Sequence, residues 1–253
     1  MIGRSIGLGE VIALVSGKGG TGKTSVCAGI AAALAEEGKQ ILCIDCDVGL
    51  RNLDISLGMS ECGALSFLDV SEGGYSLDQA ARHPVYPSIA FLTAPLNRSA
   101  ENIDPNAFAA MLRRAKQQFD FVLLDAPAGV DAGFRLATAC ASRILLVTGS
   151  GPAAVRDAAR VGDILELMGK SDVRLVVNRV DRDMLSAVRQ TIDDVMDSAG
   201  LPLTGIVPED PNVVLAATFG HSVLQYAKRC PAARAYRKIA LRIRGYSVPI
   251  MMK

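Results

Sequence analysis

Residues 11–30 read VIALVSGKGGTGKTSVCAGI. Val11 to Ser16 is a nearly pure apolar run, as expected of a strand buried on both faces of a parallel sheet. The glycine-rich turn Gly17-Lys18-Gly19-Gly20-Thr21-Gly22-Lys23-Thr24 follows at once, and then an apolar stripe at helical spacing (Val26, Ile30, Ala33, Leu34) with a stop signal at Gly38. A strand, the pattern G-x-x-x-x-G-K-[ST] and a helix together make the phosphate-binding P-loop. The pattern alone arises by chance in roughly one chain in a hundred of this length, and the flanking strand and helix lower that further. Glycines let backbone N–H groups converge on an anion, and the helix N-terminus adds its dipole. Lys23 is placed to reach the β/γ-phosphates and the Thr24 hydroxyl to take a Mg²⁺ position.

Along the chain, apolar strand patterns at 11–16, 40–45, 89–93, 120–125, 143–148, 173–178 and 203–207 alternate with helical patterns near 24–37, 106–118, 131–141, 153–168, 183–199, 212–219 and 231–244. The repeated order predicts one α/β domain over residues 1–253: a mostly parallel twisted sheet of about seven or eight strands with helices on both faces. Residues 58–88, rich in Gly, Ser and Pro, read as irregular surface excursions. Ligands of such sheets bind at the carboxyl ends of strands. There the second strand runs into Asp45-Cys46-Asp47-Val48-Gly49-Leu50-Arg51-Asn52-Leu53-Asp54, and the fourth ends in Asp125-Ala126-Pro127. Carboxylates at these ends suit support of Mg²⁺ or orientation of an attacking water; capping a turn or a helix start is the other role open to them.

Half of the residues are hydrophobic and 5% aromatic, with no Trp, so aliphatic strands and Ala-rich helices should dominate. Six scattered cysteines (27, 43, 46, 62, 140 and 230) fit reduced core thiols of a cytoplasmic protein rather than a disulfide framework. Cys43 and Cys46 form a lone C-x-x-C with no second pair at metal-ligand spacing, and neither His83 nor His221 has a nucleophile or ligand cluster nearby. No signal-peptide core or apolar run of spanning length is present, so the chain reads as soluble. The net charge of +1 hides a division: residues 211–253 hold eight Lys/Arg and no acid, against 19 basic and 26 acidic residues before them. The basic helix and short tail at about 228–253 suggest an anionic partner, lipid or nucleic acid, or else cations that favour a helix end and face water.

These motifs resemble a known family. Lys18-Gly19-Gly20-Thr21-Gly22-Lys23-Thr24 is similar to the deviant Walker A motif, KGGxGKT, of the MinD/ParA class of P-loop ATPases. DCDVGLRNLD (45–54), LLDAPAGVDAGF (123–134), VRDAARVGDIL (155–165), VVNRV (176–180) and GIVPEDPNVVLAATFGHSV (205–223) resemble the MinD branch, which positions bacterial cell division. The resemblance implies a Mg²⁺-dependent ATPase that binds ATP and ADP and dimerises with ATP. Lys18 would cross into the partner subunit's nucleotide; Gly19, Gly20, Thr21, Gly22, Lys23, Thr24 and Ser25 would hold phosphate. Asp47 would position the hydrolytic water, with Asn52 in the same switch segment; Thr24, Asp45 and Asp125 would serve the metal; Asn178, Pro208 and Asp210 would line the adenine pocket.

The implied partners are MinC-type and MinE- or DivIVA-type proteins and the inner face of the cell membrane, with nucleic acid second. Two departures stand out. Thr148-Gly149-Ser150-Gly151-Pro152 replaces the usual Asn/Thr-Pro-Glu-like turn, and only Tyr246 to Lys253 follow the last helix, with Val248, Ile250, Met251 and Met252 as a minimal insertion tail. The rival readings are a flagellar-number regulator of the FlhG type, which usually carries an N-terminal extension, a ParA-type DNA-partition ATPase, and a metabolic P-loop kinase or ligase.

Overall fold

The computed structural model describes residues 8–96, 98–187 and 191–250, without the side chains of Arg182 and Met184. Its strands are β1 (Glu10–Ser16), β2 (Ile41–Asp45), β3 (Ala81–Arg82), β4 (Ile89–Leu92), β5 (Phe121–Ala128), β6 (Arg143–Thr148), β7 (Val173–Val180) and β8 (Leu203–Pro208). The helices are α1 (Lys23–Glu36), α2 (Leu53–Leu57), α3 (Phe67–Ser71), α4 (Pro105–Gln118), α5 (Ala132–Cys140), α6 (Pro152–Leu167), α7 (Arg182–Ala187), α8 (Ile192–Ala199), α9 (Pro211–Thr218), α10 (Val223–Tyr226) and α11 (Pro231–Ile243). One sheet runs in the order β3-β4-β2-β5-β1-β6-β7-β8. All neighbours are parallel except β3, which pairs antiparallel with β4.

Why this sheet forms is plain from the strands. β1, β2, β4 and β6 are aliphatic and buried nearly end to end, as strands covered on both faces must be. On one face, Phe67, Phe108, Leu112, Phe134, Leu165 and Val195 of α3, α4, α5, α6 and α8 close a core. On the other, α1, α2, α10 and α11 bring Leu34, Leu53, Leu224, Tyr236 and Ile239. The first helix is buried on almost every side from Val26 to Leu34, because it lies between the sheet and α11. Gly29 admits the close approach: a Cβ there would sit 2.3 Å from Cδ2 of Tyr236.

Several sequence expectations need correction. The stretch 58–88 is not simply irregular. Thr93 draws its start onto the sheet edge through a parallel bridge to Ser66, and α3 buries Phe67 edge-on against Phe108 at 5.3 Å. The helical pattern at 183–199 is two helices, α7 and α8, and Thr191 begins the second with a capping box closed by Asp194. β3 and α10 were not expected at all. Cys43 and Cys46 are free and buried, and burial pushes both thiols up, against any reactive role. Met251 and Met252 of the proposed insertion tail lie outside the described residues, while Val248 gives its carbonyl to Arg242 Nε at 3.0 Å.

His83 holds a turn together through both ring nitrogens. Its Nε2 lies 2.9 Å from the Leu57 carbonyl, and Nδ1 accepts the amides of Val85 and Tyr86 at 3.0 and 3.1 Å. With Nδ1 accepting, the proton sits on Nε2, and burial holds the pKa below the ordinary 6.5. The unfolded chain therefore takes up a proton that the folded one resists. The stability from neutral His83 is fully present above pH 6.5 and lost as pH falls below it. Asp45, raised to about 7, pulls the other way over the same range, so the comparison isolates His83: from pH 7.5 to 5 the urea midpoint of the parent protein should fall relative to that of His83→Gln, and an unchanged difference would contradict this assignment.

Candidate active site

β1 ends at Ser16, whose Oγ donates to the Lys18 carbonyl at 3.1 Å. The loop then uses the left-handed region at Gly20 (φ 80°) and Gly22 (φ 81°), conformations that any L side chain would strain. Gly22 is doubly committed, because a Cβ there would lie 2.3 Å from the Asn178 amide nitrogen. A Cβ on Gly19 or Gly20 would meet nothing within 4 Å, so the loop is open on its outer side. Helix α1 starts at Lys23 with no side-chain cap; its first amides are left for an anion.

The loop is braced from β7. Asn178 Nδ2 donates to the Thr21 carbonyl at 2.8 Å, and Arg179 Nη1 to the Gly20 carbonyl at 3.2 Å. Arg179 also pairs with Glu209 at 2.8 Å and holds a strained φ of 55°. The sequence reading missed Arg179 and Glu209; an exposed Arg one residue past Asn178 gave only a weak signal. Together with Lys18 to Thr21 and Gly149 to Gly151 they line a cavity of about 280 Å³. The departure at Thr148–Pro152 thus forms one wall of it.

Beneath the loop, parallel pairing puts Asp125 of β5 level with Leu14 of β1 and with Asp45 of β2. Lys23 Nζ lies 2.6 Å from Asp125 Oδ1, and both residues are buried. Burial disfavours the Lys23 ammonium, but the Asp125 carboxylate more than offsets this and holds the lysine pKa above its ordinary value. Burial raises Asp125, while Lys23 and the hydrogen-bonded Thr24 hydroxyl act the other way. Asp45 is pushed up to about 7, by burial first and by Asp125 second. Its Oδ1 accepts the Asp47 amide at 2.9 Å and its Oδ2 the Leu53 amide at 3.1 Å. It therefore carries the capping role that the sequence left open to it.

Asp47 begins a turn, its Oδ1 receiving the amides of Gly49 and Leu50 at 3.3 Å. It lines a second cavity of about 520 Å³ with Glu101, Pro127, Asp131 and Arg135. Asn52 is exposed and precedes α2 without capping it. Lys18 is half exposed and meets Asp157 of α6 at 3.7 Å. Pro208 ends β8, paired with Val180. Both oxygens of Asp210 are occupied inside the protein: Oδ1 by the Asn212 amide and side chain at 3.0 and 2.8 Å, Oδ2 by the Ala232 amide at 3.0 Å.

Hard oxygen donors and a lysine beneath a glycine cradle fit a magnesium nucleotide. No group of three His, Cys, Asp or Glu among the described residues is set to hold an ion.

Comparison with known proteins agrees with this geometry. The CobQ/CobB/MinD/ParA nucleotide-binding domain matches residues 12–223. A septum site-determining protein MinD from Synechocystis is 34% identical over 246 residues, covering 96% of this chain and 92% of that one. The MinC:MinD cell division complex of Aquifex aeolicus aligns with a TM-score of 0.89 at 33% identity, over 96% and 98% of the two chains. The MinD of Pyrococcus horikoshii, solved with Mg-ADP, aligns with a TM-score of 0.81 at 28% identity, over 93% and 96%. A P-loop braced by β7 over a buried lysine–carboxylate pair, in a chain alike from end to end, places this protein in the CobQ/CobB/MinD/ParA nucleotide-binding family, among the MinD septum site-determining ATPases.

Proposed function

We propose that this protein is a Mg²⁺-dependent ATPase switch in septum placement, in which Lys18 completes the site of a second copy when ATP is bound. The carrying observation is the contrast between two lysines. Lys23 is buried and held by Asp125, whereas Lys18 stands half exposed on the glycine loop. An exposed ion pair such as Lys18–Asp157 contributes about 0–1 kcal/mol, so the side chain leaves it at small cost. A positive group free to reach a neighbour's γ-phosphate can neutralise charge developing there.

Within one subunit, the amides of Gly19 to Ser25 would cradle phosphate, and Lys23 would turn from Asp125 toward the phosphate oxygens. Thr24 would hold Mg²⁺, with Asp45 and Asp125 behind it. Bound Mg²⁺ would supply neutralisation of β/γ-phosphate charge. Asp47, on a turn beside Asp45, is suited to orient water, with Asn52 exposed five residues on. Asn178 steadies the P-loop, and Pro208 with the backbone beside Asp210 would border the base. ADP would fill the same cradle, a reading supported by the Pyrococcus horikoshii relative solved with Mg-ADP.

A MinC-type partner is supported by the relative solved with MinC; a MinE- or DivIVA-type activator and the inner membrane face belong to the same reading. No helix among the described residues is long and apolar enough to cross a membrane, so contact there would be peripheral. The basic segment is less free than its charge count suggests. Arg237 pairs with Glu36 and Arg244 with Glu37, each at 2.6 Å. This weakens the nucleic-acid reading as well as the lipid one.

Analytical ultracentrifugation tests the switch. Asp47→Ala with ATP should sediment at twice the monomer mass and with ADP as a monomer, while Lys18→Ala should stay monomeric with either nucleotide. A protein that remains monomeric with ATP while hydrolysis is blocked would overturn the proposal.

A further inference from the structure

At the sheet edge opposite the P-loop, two neighbouring strands carry arginine at their amino ends, beside the start of a third. Arg143 opens β6, Arg174 is second in β7, and Leu203-Thr204 open β8. With Arg242 from the last turn of α11 and with Tyr246, Ser247 and Val248 of the tail, they line a cavity of about 380 Å³. At about 3.3 Å per residue, β6 alone separates it from the nucleotide loops by roughly 20 Å. The two cavities share no lining residue.

The charge in this cavity is incompletely balanced. Arg143 and Arg174 divide one carboxylate, Asp172, at 2.8 and 2.7 Å, with Glu10 a further 3.2 Å partner of Arg143. The hydrogen bonds of Arg242 among the described residues all end on carbonyls: Thr204 at 2.9 Å, Val248 at 3.0 Å and Pro249 at 2.7 Å. Burial draws the Arg242 pKa below its ordinary value, as expected of a cation with no counter-charge. A second observation points the same way. Thr204 is 3% exposed, and its hydroxyl has no hydrogen-bond partner among the described residues. A buried hydroxyl left unpaired costs about 1–3 kcal/mol, and turning the Thr204 side chain toward the cavity its residue lines would give it an oxyanion as acceptor.

We propose that this cavity binds a phosphate group, as inorganic phosphate, a small phosphomonoester or a phosphatidate headgroup. Guanidinium forks match the oxygens of phosphate, and its negative charge answers the one guanidinium, Arg242, that meets no carboxylate among the described residues. A ligand there competes with the Val248 and Pro249 carbonyls for Arg242, so its binding is coupled to the position of the tail.

The test is site-specific NMR of the arginine Nε–H groups in the full chain, titrated with sodium phosphate, with glycerol phosphate and with sodium chloride at matched ionic strength. Phosphate or glycerol phosphate should give saturable shifts at Arg143 and Arg242, and chloride none. Arg174→Gln, which removes a half-exposed guanidinium, and the near-isosteric Thr204→Val should each weaken the midpoint roughly tenfold, the loss of one charge-assisted contact. A parallel flotation arm uses phosphatidate-containing against pure phosphatidylcholine vesicles. Saturation by free phosphate assigns the ligand to the soluble pool; flotation with phosphatidate that both variants abolish, without saturation by free phosphate, assigns it to the headgroup. If neither signal changes in either variant, the proposal is wrong.

Discussion

Lys23→Ala is expected to lower ATP turnover by about 100- to 1,000-fold, the usual scale for removing one preorganised electrostatic group, and to destabilise the fold at the same time. The second effect follows from Asp125. Its carboxylate sits 2.6 Å from Lys23 Nζ at 1% exposure, so removing the ammonium leaves a buried charge with too little compensation. Breaking one side of such a pair costs about 3–5 kcal/mol. Asp125 already feels burial as an upward push on its pKa, so the variant should relieve part of the cost by taking up a proton. Lys23→Ala with Asp125→Ala removes both partners and should recover much of the stability while turnover stays at least as low as in Lys23→Ala. Urea unfolding and phosphate release, measured on the two variants side by side, separate the effects. A double variant no more stable than Lys23→Ala would show that the ion pair is not what the fold loses.

Asp210→Ala should also have a large effect, but on stability first. One carboxylate starts two helices: Oδ1 caps α9 through Asn212, and Oδ2 receives the Ala232 amide at the start of α11. The helix-start amides hold its pKa below the ordinary carboxylate range even though burial opposes this. Losing a cap costs about 0.5–2 kcal/mol; two caps on one buried side chain bring the expected loss to about 2–4 kcal/mol. Asp210→Asn keeps one acceptor oxygen and should fall between. If Asp210→Ala weakened ADP binding with its unfolding midpoint unchanged, the capping assignment would be wrong and a direct role beside the base would be favoured.

Asp210 also marks the limit of what the sequence reveals. Its place in a short motif shows that it matters, but not which atoms it serves, because α11 lies more than twenty residues away in the chain. The P-loop was legible because everything it needs is local: an apolar strand, glycines where φ must be positive, and a helix start. The sheet was legible for a similar reason, since strands buried on both faces show as continuous aliphatic runs. Lys23, Asp45 and Asp125 were each visible as candidates, yet their meeting depends on β1, β2 and β5 being neighbours, which is a matter of strand order. Arg179 was missed because its work, bracing Gly20 and pairing with Glu209, is set by a strained backbone angle with no simple composition signal. The segment 58–88 misled by composition. Its glycines and serines look like loop, while Phe67, the residue that docks it, is a single aromatic without a period around it.

The packing of Tyr236 against Gly29 has a consequence for how the protein is made. The helix that carries the nucleotide loop is synthesised more than two hundred residues before the ring that covers it, Gly29 against Tyr236. Arg237 and Arg244 then tie the same two helices together through Glu36 and Glu37. The central strand β1 likewise waits for β5 and β6, more than a hundred residues downstream. On the ribosome, therefore, the N-terminal half emerges with its apolar strands and α1 uncovered, exposed to the hazards that favour chaperone contact. Nucleotide should not bind a stalled nascent chain lacking α11, and binding competence should appear late and all at once, when the closing helix clears the exit tunnel.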